Sequence, residues 1–236
     1  MEIIIIETLY LLFIVVPALF IFLKTFNIYK FSRYKGLKYF SYAFLYLALG
    51  FFVRYIVMIS KIIQGNLQTI SRFDYFTMTM EFLLVLAGLF FFYSMVWQNF
   101  EKKHFNKNNI SLAVIYLIGF AIAIGDSILR EFILMYSSQI ILFFMASVIS
   151  LIKYFKKKNN FLQMYFVSMT LFMIVWIINL IAQYTIDDVP VIRLYAYFFT
   201  VAANLIILVI TFKLTPKKKK KRKEKDLRSS MISWIQ

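Results

Sequence analysis

Seven stretches of this chain are apolar for long enough to cross a lipid bilayer, and they use up almost all of it. A helix needs about 20 apolar residues to span the hydrocarbon core. The spans fall at 3–23, 37–58, 73–97, 110–124, 132–152, 161–184 and 194–214. The fourth, "ISLAVIYLIGFAIAI", is the shortest and ends at "GDS". It either starts earlier, runs on through Ile128, or is re-entrant in a six-helix alternative.

The loops test that count. Basic residues collect on the cytoplasmic side of membrane proteins. All but five of the 27 Lys and Arg lie in the first, third and fifth loops or after the seventh span, the five being Arg54, Lys61, Arg72, Arg130 and Arg193. Acids show the reverse bias, with Glu2, Glu7, Asp74, Glu81, Asp126, Glu131, Asp187 and Asp188 towards the other side. The alternation requires seven helices. The expected architecture is therefore an all-α, polytopic seven-helix bundle in the plasma membrane, N-terminus outside and C-terminus inside. Residues 1–214 form the transmembrane domain and 215–236 a basic cytoplasmic tail. The first span reads as a retained helix, because Glu2 and Glu7 give it the opposite charge to the basic start of a secretory signal.

The tail "TPKKKKKRKEKDLRSS" would pass in isolation for a nucleic-acid patch. Placed directly after a span, on the side of the other basic loops, it reads as an anchor on an anionic inner leaflet. Lys217, Lys218, Lys219, Lys220, Lys221, Arg222, Lys223 and Lys225 supply that charge, each worth about 1 kcal/mol near such a surface. No nucleic-acid partner is expected.

With 62% hydrophobic and 16% charged residues, no soluble domain of ordinary size fits. The chain has no cysteine and one histidine, which excludes disulfides, thiolate catalysis and Cys- or His-rich metal sites. HExxH, GxSxG and P-loop motifs are absent. Helix 7 carries Asn204 rather than a mid-membrane lysine, so a retinal Schiff base is not expected. Neither cofactor, metal nor catalytic residue is expected.

Polar residues inside the spans share a depth. Glu7, Arg54, Glu81, Gln139, Trp176, Asn179, Gln183, Tyr197 and Asn204 lie in or near the outer half, and the inner half is Leu, Ile, Val and Phe. Steps of three and four put Tyr42, Tyr46, Gly50 and Arg54 on one face of helix 2. The same spacing groups Thr77, Glu81 and Gly88 on helix 3, and Trp176, Asn179 and Gln183 on helix 6. Such faces look into the bundle. Two readings stay open. Arg54 and Glu81 could form a structural ion pair locking helices 2 and 3, with the amides as interhelical hydrogen bonds. Alternatively, the set lines an outward-facing pocket for a small ligand. An ion path is disfavoured because the inner halves of helices 3, 5 and 6 offer no acid or base. Gly50 and Gly88 read as close-packing points, Pro17 as a kink, and Asp126, Arg130 and Glu131 as a solvated outer turn.

The layout and the basic-aromatic stretch "YKFSRYKGLKYFSYAFLYLALGFF" (residues 29–52) resemble the seven-helix membrane sensor regions of prokaryotic histidine kinases. That resemblance implies a non-enzymatic sensor or accessory module whose output is another cytoplasmic signalling protein. A faint echo between "KGLKYFSYAFLYLALGF" and "NNFLQMYFVSMTLFMIVW" suggests the alternative, a small-solute transporter of three-plus-one-plus-three helix plan.

Overall fold

A computed structural model of the chain describes residues 2–63, 75–103, 108–129, 131–158, 160–184 and 189–214. They form seven α-helices: α1 Glu2–Ser32, α2 Lys35–Ile63, α3 Tyr75–Lys103, α4 Asn108–Leu129, α5 Ile133–Lys157, α6 Asn160–Tyr184 and α7 Val189–Leu214. Each contains a window long and apolar enough to cross a membrane. The basic tail from Lys217 to Lys225, together with His104, Arg130, Asp187 and Asp188, lies outside the described residues.

The fourth helix settles in favour of a full span. It has 22 residues, or about 33 Å at 1.5 Å per residue, which exceeds a hydrocarbon core of about 30 Å. It does not stop at "GDS", because Asp126 is satisfied without leaving the helix. The Asp126 carboxylate accepts the backbone N–H of Leu134 at 2.8 Å and of Met135 at 2.7 Å, in the first turn of α5. An acid at a helix N-terminus is favoured by orphan N–H groups and by the macrodipole. Asp126 is thus fully buried and caps the next helix, which corrects the solvated position expected for it, while Glu131 is exposed. α1 runs through Pro17 as a single helix.

At the basic end, two joints share a device. Arg33 and Lys158 adopt left-handed backbone angles, with φ of 56° and 45°. Their N–H groups bond back to Tyr29 O and Tyr154 O at 2.8 Å and 2.6 Å. A left-handed residue closes a helix by satisfying its last carbonyls and lets the chain reverse at once. Tyr34, in the first joint, packs edge-on against Trp97 with ring centroids 5.4 Å apart, and burial pushes its phenol up.

Helices α1, α2, α3, α5, α6 and α7 pack in a closed ring in that order, α7 returning to α1, and α4 lies outside against α3 and α5. A tyrosine pair also ties α4 to α2, with Tyr46 and Tyr116 hydroxyls 2.7 Å apart. α3 is the most enclosed helix, with 61% of its apolar window buried against 22% for α4. Glycines set the close approaches. A Cβ at Gly50 would lie 2.7 Å from Leu84 Cδ2, and one at Gly88 would overlap the Gln139 carboxamide. These are the packing points expected between α2, α3 and α5.

The middle of the ring is filled by interlocked phenylalanines. Phe44, Phe91, Phe143 and Phe172 come from four helices, and each is 2% exposed or less. Phe91 meets Phe44 at 4.9 Å, Phe143 at 5.8 Å and Phe172 at 5.9 Å between centroids. Phe40 and Tyr165 extend the cluster towards the basic end.

Candidate functional site

About three turns above the phenylalanine layer, at the end away from the basic joints, α1, α2 and α7 meet through a polar knot. Arg54 lies in the last third of α2. Its Nη2 donates to the Tyr197 hydroxyl at 2.8 Å and lies 3.7 Å from Glu7 Oε2. The Tyr197 hydroxyl in turn donates to Glu7 Oε1. Tyr10, one turn after Glu7, stacks on Tyr197 with centroids 3.7 Å apart and rings 19° from parallel. The guanidinium carbon sits 5.3 Å from both ring centroids. A guanidinium suits this place because it is planar, permanently charged and weakly hydrated, so it stacks on rings and bonds edge-on at once.

The partner of Arg54 is therefore Glu7 and not Glu81. Glu81 is fully buried, and neither of its carboxyl oxygens has a hydrogen-bond partner. It turns towards α4 and α5, close enough to Asp126 for the two acids to interact electrostatically. The neighbours of α2 decide this outcome. The Arg54 side chain reaches Glu7 on α1 and Tyr197 on α7, while α3 presents Leu84 to Gly50.

The knot forms one wall of a cavity of about 280 Å³. Every helix of the ring contributes to its lining, and α4 does not: Tyr10, Arg54, Met80, Met135, Asn179 and Tyr197 represent the six. Trp176 and Tyr136 pack against each other in its lining, centroids 5.9 Å apart and rings 42° from parallel. Phe51, Leu84 and Val175 line its lower part, on the side of the phenylalanine layer. Among the described residues, Arg54 is the one charged residue in the lining.

Of the expected residues, the structure brings Arg54, Trp176, Asn179 and Tyr197 to the cavity, with Glu7 behind Tyr197. Four others are held elsewhere. Gln139 donates through Nε2 to Leu84 O at 3.3 Å, and its Oε1 is buried without a partner. Asn204 is fully buried and donates to Thr200 O within α7 at 3.0 Å. Gln183 keeps a buried, unpartnered Oε1. Glu81 lies beside the cavity without entering its lining, although Thr77 and Leu84 on the same helical face do line it. Conversely, sequence reasoning passed over Tyr10, Met58, Met80 and Tyr136. Tyr10 had a signal, since it sits three residues after Glu7 and shares its face. The methionines had none, because an apolar residue facing a cavity reads like one facing a neighbour.

Among the described residues, no three or more His, Cys, Asp or Glu side chains come together as a metal site would require. No protein-family model, curated protein or solved structure matches the chain.

Proposed function

We propose that the protein is a non-enzymatic membrane module, a sensor or accessory subunit, that receives a small ligand in the half of the bundle away from its basic loops. The observation that carries this reading is a cavity lined by all six ring helices and backed by interlocked phenylalanines. A ligand lodged there touches every ring helix at once, so its occupancy biases their relative packing. That is what a sensor needs, since a ligand shifts a conformational equilibrium only through contacts that differ between the states. The aromatic layer separates the cavity from the basic end, as suits a receptor better than a conduit.

The basic loops, by the positive-inside rule, put the cavity outside the plasma membrane and the joints Arg33 and Lys158 in the cytoplasm. The resemblance to histidine-kinase sensor regions supports an output protein docked at those joints, with Lys217 to Lys225 holding the chain on anionic lipid. A second reading, the three-plus-one-plus-three carrier, is favoured by one observation: α4 stands outside a ring of three helices before it and three after it.

Because the chain has no cysteine, single introduced thiols report accessibility cleanly. Met58→Cys should react with a membrane-impermeant maleimide in intact cells, and Lys156→Cys only after lysis. The reverse pattern would overturn the orientation, and an inert Met58→Cys the open cavity. Ala146→Cys lies below the layer. Its labelling from the cytoplasmic side during solute uptake would favour the carrier.

A further inference from the structure

We infer that the cavity takes a small organic carboxylate with an apolar or aromatic body. The inference rests on the reading of the cavity as a ligand site, and it comes from how Arg54 is held. Both protein partners of the guanidinium, the Tyr197 hydroxyl and Glu7 Oε2, engage the same nitrogen, Nη2. Among the described residues, no protein atom bonds the N–H groups of Nη1 or Nε, and Arg54 lines the cavity. A guanidinium carries five N–H donors in a rigid fork, and that fork matches the two oxygens of a carboxylate. Glu7 and Tyr197 thus fix one edge of the group and leave a second edge for a ligand.

The rest of the lining fits the rest of such a molecule. Among the described residues, no acid lines the cavity. Trp176 and Thr77 also line it, residues whose indole N–H and hydroxyl are donors suited to an acceptor-rich head group. Phe51, Phe132 and Tyr136 add aromatic surface to the lining. Met58, Met80 and Met135 complete it with unbranched, polarisable side chains that adapt to bodies of different shape. The volume, about 280 Å³, suits a compact molecule and not a peptide, lying just below a range of roughly 300–1,000 Å³ for ligand sites.

The test uses the full chain in nanodiscs, with empty discs as the blank, and equilibrium dialysis of two matched pairs. These are phenylacetate against phenylacetamide, and octanoate against octanamide. Each amide keeps the body and removes the charge. The expected result is that at least one acid binds about tenfold or more tightly than its amide. Arg54→Lys, which keeps the charge and loses the fork, should remove most of that preference. The comparison within the native chain needs no variant, so it stands even if Arg54 variants fold poorly. Equal binding of acid and amide overturns the carboxylate and leaves the ligand site standing. Absence of binding by all four probes overturns both. An acid preference that survives Arg54→Lys and Arg54→Gln unchanged places the anion elsewhere and also overturns the inference.

Discussion

Aromatic side chains do opposite things at the middle of this bundle and at the end away from its basic joints. In the middle, Phe44, Phe91, Phe143 and Phe172 meet ring to ring across four helices. At the other end, Tyr10 and Tyr197 stack on each other and flank a cation, while Trp176 and Tyr136 pack together beside an open space. The difference is one of partners. A phenylalanine opposite phenylalanines gains contact on every side. A tyrosine or tryptophan beside an arginine spends part of its surface on a polar group and leaves room next to it. Lipid is as apolar as a helix face, so helices in a membrane are held by dispersion and close fit rather than by the hydrophobic effect. The layer is therefore where the stability of the ring concentrates, and the cavity end is where some has been given up.

The sharpest way to break that contrast is Phe91→Ala. Phe91 is fully buried and touches rings from α2, α5 and α6, so its loss should cost about 3–5 kcal/mol. Tyr136→Ala, beside the cavity, should cost clearly less, since Tyr136 packs only partly against the core. Reversible unfolding in mixed micelles, followed by far-UV circular dichroism, measures both. A Phe91→Ala loss no larger than that of Tyr136→Ala would mean the layer is not the stabilising element.

Next in size is Gly88→Ala. A Cβ there overlaps the Gln139 side chain, and overpacking of this kind costs about 1–3 kcal/mol. Gln139→Ala in the same chain should recover most of the loss by removing the obstacle. Failure of that rescue would put the constraint in the backbone approach of α3 and α5. This position was legible from the sequence, because glycine on a polar helical face has few other reasons to be there. So were the seven helices and the depth at which polar residues gather. The pairing of those residues was not. Helical periodicity reports which face a residue occupies and roughly how deep it lies. It does not report which helix stands opposite, and Arg54 found Glu7 on α1 instead of Glu81 on α3 for that reason. Asp126 failed the same way: its two N–H donors come from Leu134 and Met135 across a chain reversal, where local pattern reads only a turn.

Double-mutant cycles sharpen the pairing. Arg54→Gln combined with Glu7→Gln should show a coupling of about 1–2 kcal/mol, carried by the Tyr197-bridged contact. Arg54→Gln combined with Glu81→Gln should show about 0.3 kcal/mol or less, as expected for residues that share no partner. Comparable couplings in the two cycles would mean that Glu81 reaches Arg54 in solution and that the knot is wider than three helices.

The smallest effect is the most discriminating for the cavity itself. Val175 lines it from α6, one turn from Phe172 in the layer, so the two positions sample the two regions at nearly the same depth. Val175→Leu adds a methylene that enters empty space, and the change in stability should stay within about 0.5 kcal/mol. Val85→Leu, at a fully buried core position of α3 that does not line the cavity, adds the same methylene where none is free and should cost about 1–3 kcal/mol. The pair compares the same substitution at two sites, one beside the cavity and one in the packed core. Only an open space on one side and a filled one on the other separates their outcomes. Equal losses would mean that the cavity closes in the folded protein in bilayers, and a ligand site there would go with it.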